Sequence, residues 1–233
     1  AQRREPKDKR VWASVKAPAE GVVNEMFEEA LARHQDRSRR WVALVDGNEV
    51  QLGNVLTLAE HHNVELTLIV DVIHVLEYLW KAGTAFESEG TPQLEKWVQA
   101  RFLQVLQGQA KRVATGLRRA ATRRRLSAKI RKPVDTCANY LEKNAAYMAY
   151  NDYLADGLPI ATGVIEGACR YLVKDRMEKT GARWHLNGAE AILRLRSLFA
   201  SKDFDEYWTF HEEAERYRNH LTQPGRSHLR LVK

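Results

Sequence analysis

Apolar residues follow two textures along this chain. Up to Val70 they form short β-branched runs, and from Val72 onward they recur at helical spacing. Val11 to Val15 is a short run that predicts a strand. Asn24 to His34 places Met26, Phe27, Ala30 and Leu31 on one helical face, with Asn24 as the expected N-cap. Trp41 to Val45 is continuously apolar and stops at Asp46-Gly47-Asn48, which predicts a buried strand ended by turn residues. A helix is expected over Val50 to His62, and a second buried strand over Val64 to Val70, ending at Asp71.

Strand, helix and strand within about 30 residues predict a right-handed βαβ unit with parallel strands. Parallel strands end on the same sheet edge, so Asp46 and Asp71 share the edge where open α/β sheets place their sites. One strand-end aspartate ordinarily caps a turn or a helix. Two on one edge make a site an equal reading.

From Val72 to Pro159 the pattern is helical. Helices are expected at Val72 to Gly83, Pro92 to Ala110, Val113 to Ala121 and Val134 to Met148. Pro159 and Gly163 then punctuate the entry to another helix, with Thr162 as the expected cap. Ile165, Ala168, Cys169 and Leu172 share its apolar face, and Glu166 lies at the flank, followed by Arg170 and Lys174. Gly181 to Trp184 reads as a turn, and Ala189 to Phe199 and Asp203 to His220 as the last helices. The expected organisation is 1–80, a first core part; 81–158, a helical insertion; 159–200, the glutamate helix and its successor; and 201–233, a terminal helix and tail.

Composition changes this picture in three ways. Hydrophobic residues make up 44% of the 233, enough for a proper core, which excludes global disorder. Two cysteines, Cys137 and Cys169, with no CxxC, exclude a disulfide scaffold and a four-cysteine zinc site and fit a reducing, cytosolic setting. Cys169 is expected in the core. The longest apolar run, Val64 to Val75, is broken by Glu65, Asp71 and His74, so no membrane span is expected. The opening AQRREPKDKR is loop-like and reads as the continuation of something longer.

The net charge of +7 points to a polyanionic partner through its distribution. Lys111 to Lys132 holds ten Lys or Arg and no acid. A solvated face usually mixes signs, so Arg118, Arg119, Arg123, Arg124, Arg125, Lys129, Arg131 and Lys132 are the expected phosphate contacts, with Arg170 and Lys174 beside Glu166. Trp184 suits stacking on an unpaired base or, equally, core packing. His74 suits ordering a phosphate or water, or a hydrogen-bonded place at a helix start.

The segments VALVDGN, LIVDVIHVLEYLWKAG, YLEKN, LPIATGVIEGACRYLVKDRMEKTGARW and FDEYW together resemble transposases of the ISKra-type bacterial insertion sequences, from about Lys9 to about Arg216. The resemblance implies an α/β, helix-rich fold, in which a partial RNase H-like core is interrupted by an all-α insertion. It also implies an Asp-Asp-Glu triad with Mg²⁺ or Mn²⁺. The family's element order makes Asp46 the second acid and Glu166 the third, with the first upstream and Asp71 and His74 in support. The rival assignment takes Asp46, Asp71 and Glu166 as the whole triad and metal ligand set.

Such a site cleaves DNA and transfers strands, with two hard cations about 3.5–4 Å apart serving nucleophile and leaving oxygen. The implied partners are double-stranded DNA, at transposon ends and target, and further copies of the chain. The implied place is the bacterial cytoplasm at the nucleoid. Two other functions stay open: a non-catalytic DNA-binding remnant of such a transposase, and an RNase H-like nuclease of repair or recombination.

Overall fold

The computed structural model describes residues 8–34, 38–162, 167–179 and 181–221. These form a helix-rich α/β chain that divides into two compact units, one of residues 18–163 and one of residues 1–17 with 164–233.

In the 18–163 unit, β1 (Trp41–Val45) and β2 (Leu66–Val70) pair in parallel, from Trp41 opposite Leu66 to Val45 opposite Val70. Among the described residues the sheet has these two strands. The ladder runs one residue further, because the Asp71 amide donates to the Val45 carbonyl at 2.7 Å. The connecting helix α2 (Glu49–His61) starts where the Asn48 side chain accepts from the Val50 and Gln51 amides. Before β1 lies α1 (Ala19–Arg33), which begins five residues earlier than its pattern predicts, with Pro18 at the cap. Asn24 is therefore not a cap. It sits mid-helix, donates to Glu28 at 2.7 Å and meets the His62 ring at 2.9 Å.

A block of helices follows: α3 (Val72–Gly83), α4 (Pro92–Leu106), α5 (Ala110–Arg123), α6 (Ala128–Lys143) and α7 (Tyr150–Ala155). The helix expected over Pro92 to Ala110 ends at Leu106, and Ala110 already begins the next one, three residues before the expected Val113. Gly108, at φ +76°, turns the chain, and the Gln109 amide bonds back to the Gln104 carbonyl. Conversely α6 begins well before Val134 and runs through Pro133, giving up one backbone hydrogen bond. The Arg131–Asp135 pair at 3.0 Å spans that position.

The strands and this helical block share one core. Ile69, Val70, Val75, Leu79, Leu94, Val98, Val105, Val134 and Leu141 are all within 1% of complete burial. Helices α5 and α6 pack through Val113, Ala114, Leu117 and Ala121 on one side and Val134, Cys137, Ala138 and Leu141 on the other. Burial without a countercharge pushes the Cys137 thiol up to about 12, so it remains a protonated core group.

The other unit is built on α8 (Leu186–Ser201) and α9 (Phe204–Arg216). The expected strand Val11 to Val15 is absent. Among the described residues that segment pairs with no strand, because α8 side chains take over its backbone groups. The Val11 amide donates to Ser201 Oγ at 3.0 Å, and the Val15 amide to Glu190 Oε2 at 2.9 Å. Ser14 also donates to Glu190, and Arg194 completes the set at 3.1 Å. The Val15 amide, then Ser14 and Arg194, hold the Glu190 carboxyl below the usual range, against the opposing effect of burial. Cys169–Lys174 is π-helical, and Asp175–Met177 continue it as helix. The wider turn changes the phase of the apolar face. Ala168 and Leu172 are buried, but Cys169 is exposed rather than in the core.

Two tyrosines tie the helical block to the strand ends. Tyr150 is fully buried and donates to the Val70 carbonyl at 2.8 Å. Tyr140 donates to the Asp46 carbonyl at 2.7 Å while its ring stacks on Tyr78 at 4.0 Å. Tyr150→Phe leaves a buried carbonyl without its donor, and should cost about 1–2 kcal/mol of stability in denaturant unfolding.

Candidate active site and nucleic-acid face

The loop after β1 is fixed from several sides. The Asp46 amide donates to Gln51 Oε1 at 3.1 Å, its carbonyl accepts from Tyr140, and its carboxylate accepts from the Asn48 amide at 2.8 Å. Gly47 adopts φ +83°, and a Cβ there would stand 2.9 Å from the Tyr140 ring. Only glycine fits this close approach without strain. Asn144, buried beneath the loop, donates to the Tyr140 carbonyl. The backbone is thus locked while the Asp46 side chain is exposed, with its second oxygen making no hydrogen bond among the described residues.

Asp71 lies on the same strand edge, as its sequence position predicts, but its environment is the reverse. It is 4% exposed, and both oxygens are engaged. Oδ1 caps α3 through the Ile73 amide at 2.7 Å, and Oδ2 accepts from the Thr162 amide at 2.9 Å and from the Thr162 hydroxyl. The Val72 amide adds a bond to the Ile160 carbonyl. Asp71 therefore fastens the end of β2 to the segment that leads toward Glu166. Thr162, expected as a helix cap, is the other half of this tether.

Glu166 itself lies outside the described residues. His74, one turn into α3, is half-buried, and its Nδ1 is buried without a hydrogen-bond partner among the described residues. No group of three metal-ligating side chains comes together among the described residues. The Asp46 carboxylate nonetheless fits a hard cation chemically: it is an exposed oxygen donor with free coordination capacity on a rigid loop. The Asp71 oxygens have already been taken up by backbone and hydroxyl donors.

The basic run divides by what its members touch. Arg118 pairs with Glu142 at 2.8 Å and Asn139 at 2.6 Å; Arg124 reaches Glu87 and the Phe86 carbonyl; Arg131 pairs with Asp135. Arg118 ties α5 to α6, Arg124 ties the end of α5 to the segment after α3, and Arg131, paired within α6, also donates to Thr122 of α5 at 3.1 Å. Arg119, Arg123, Arg125, Lys129 and Lys132 are exposed, and none pairs with a carboxylate among the described residues. The turn between α5 and α6 is where Arg125 adopts φ +49°.

In the other unit Arg170 and Lys174 are exposed on the π-helical segment. Trp184 is half-buried, with the Arg176 guanidinium 5.3 Å from its ring centre, so one face already has a cation over it. Sequence reasoning passed over Tyr150 and Asn144, and gave Tyr140 and Thr162 only a place on a helix and at a helix cap. Their part is to hold the strand ends, and only the fold reveals which carbonyls and carboxylate they meet.

These features define a helix-rich α/β chain with a two-stranded parallel sheet whose C-terminal edge presents one exposed and one buried aspartate. No described helix is long and apolar enough to cross a membrane. No protein-family model, no curated protein and no solved structure matches the chain.

The two aspartates should separate in stability measurements. Asp71→Ala removes a helix cap and leaves the Thr162 amide without its acceptor, at a cost of about 2–3 kcal/mol in urea unfolding. Asp46→Ala should cost less than about 1 kcal/mol, as for an exposed group with one local bond.

Proposed function

We infer that this chain carries the catalytic region of a DNA transposase that cleaves DNA and transfers strands with divalent metal. The observation that carries the reading is the exposed Asp46 carboxylate on its locked loop at the C-terminal edge of a parallel sheet. The resemblance of the surrounding motifs to ISKra-type transposases supports it, as does a basic run whose outward cations lack acidic partners. In this reading the core is RNase H-like, Asp46 is the second acid and Glu166 the third, and the first acid lies upstream. Asp71 is a positioning residue, because its oxygens are committed to α3 and Thr162.

The chemistry exchanges one phosphate–oxygen bond for another. Water or a 3′-hydroxyl attacks phosphorus and a 3′-oxygen leaves, with no covalent bond to the protein. Asp46 and Glu166 would hold Mg²⁺ or Mn²⁺, which lowers the pKa of the attacking oxygen and neutralises the departing one. The protein's own share is to keep the Asp46 carboxylate in place without reorganisation, through Gln51, Asn48 and Tyr140, and to draw in phosphate through its exposed arginines and lysines. DNA at the nucleoid, and further copies of the chain on paired DNA ends, are the proposed partners. A second reading, a DNA-binding chain without catalysis, is favoured by the single acid left available among Asp46 and Asp71.

In the full-length protein, with Mg²⁺ and plasmid DNA carrying the gene's flanking sequences, Asp46→Ala and Glu166→Ala should each abolish cleavage while DNA binding persists. Cleavage at the wild-type rate by either variant contradicts the transposase reading. Binding with no cleavage by the wild type supports the second.

A further inference from the structure

A groove of about 600 Å³ runs between α4 and α5, and four guanidinium groups line it: Arg101 from α4, and Arg112, Arg119 and Arg123 from α5. None of the four pairs with a carboxylate among the described residues. That sets them apart from Arg118, Arg124 and Arg131, which are neutralised by Glu142, Glu87 and Asp135. Like charges gathered in one recess repel, and an anion seated between them relieves the repulsion.

The spacing indicates an extended anion. Residues 112, 119 and 123 stand seven and four apart, on one face of α5. At about 1.5 Å of rise per residue they form a ladder with steps of roughly 10 and 6 Å. Arg101 faces the ladder from the other helix. Its guanidinium lies 4.1 Å from the Trp97 ring centre and donates to the Trp97 carbonyl at 3.1 Å. Stacking fixes its plane and leaves further donors free. Burial, and then the charge of Arg124, lower its pKa, against the opposing charge of Glu87. The floor is open: at Gly116 an added Cβ would meet nothing within 4 Å.

Packed helices lie about 8–10 Å apart axis to axis, too close for a whole duplex to enter between them. One sugar-phosphate strand fits. We propose that the α4–α5 groove seats the phosphate backbone of one DNA strand, with Arg112, Arg119 and Arg123 meeting phosphates along α5 and Arg101 closing the opposite wall. The inference takes its ligand class from the nucleic-acid reading above, but it does not depend on catalysis.

Fluorescence anisotropy with labelled single-stranded and duplex oligonucleotides, over a salt series, tests it on the whole chain. R112Q/R119Q/R123Q should weaken binding more than tenfold and flatten the log K against log salt slope by about 2–3. R39Q/R40Q/K81Q removes the same charge elsewhere and should stay within threefold of wild type. Gly116→Leu fills the floor without changing charge, and should weaken binding about tenfold while the melting curve is kept. Equal losses in the two charge variants, or wild-type binding by Gly116→Leu, overturn the groove. So does a wild-type chain that binds neither oligonucleotide. Groove-dependent binding in a protein that never cleaves DNA leaves the inference standing and removes the transposase reading. Cleavage without groove dependence does the opposite.

Discussion

Two tyrosine hydroxyls at the end of the parallel sheet hold this architecture together. A two-stranded parallel sheet is weak by itself, and the carbonyls at its C-terminal edge are donor-starved once buried. Tyr140 supplies a donor to Asp46 and Tyr150 one to Val70, so the helical block closes over the strand ends and shares their core. Burial pushes both phenols well above the usual tyrosine range, Tyr140 also by the neighbouring Tyr78, and both stay protonated donors. The helices after β2 are thus a structural part of the 18–163 unit. They also fix the loop from which Asp46 projects.

That arrangement separates two aspartates that look alike in sequence. Each ends an apolar strand, and period and composition put both on one edge. What distinguishes them is Thr162, ninety-one residues beyond Asp71, whose amide and hydroxyl take up one oxygen of Asp71. No local pattern announces such a contact. The parallel pairing, α2 and the helical texture after Val72 are legible, because they rest on hydrophobic periodicity and on turn residues such as Asp46-Gly47-Asn48. The segment at Val11 carries the apolar signature of a strand, but its hydrogen bonds go to Ser201 and Glu190. Cys169 was misplaced because a π turn, invisible to a 3.6-residue count, rotates it outward.

Charge was legible as a total and as a run, but not as a division of labour. Ten cations between Lys111 and Lys132 look uniform in sequence. In the fold some staple α5, α6 and the segment after α3, while others face outward or into the groove with Arg101, which lies outside the run. Among the described residues part of the positive charge on α5 has no carboxylate partner; self-repulsion of this kind costs stability, and in the proposed function a bound polyanion would relieve it.

In the proposed function Asp46, and not Asp71, offers its carboxylate to a catalytic metal. Exchange of the ligand type tests this most directly. DNA cleavage by Asp46→Cys and Asp71→Cys in the full-length protein would be compared in Mg²⁺ and in Mn²⁺, which accepts a thiolate more readily. Asp46→Cys should be inactive in Mg²⁺ and regain cleavage in Mn²⁺. Asp71→Cys should lose stability with no metal-specific rescue. Rescue by Mn²⁺ of Asp71→Cys, or full activity of Asp46→Cys in Mg²⁺, would contradict it.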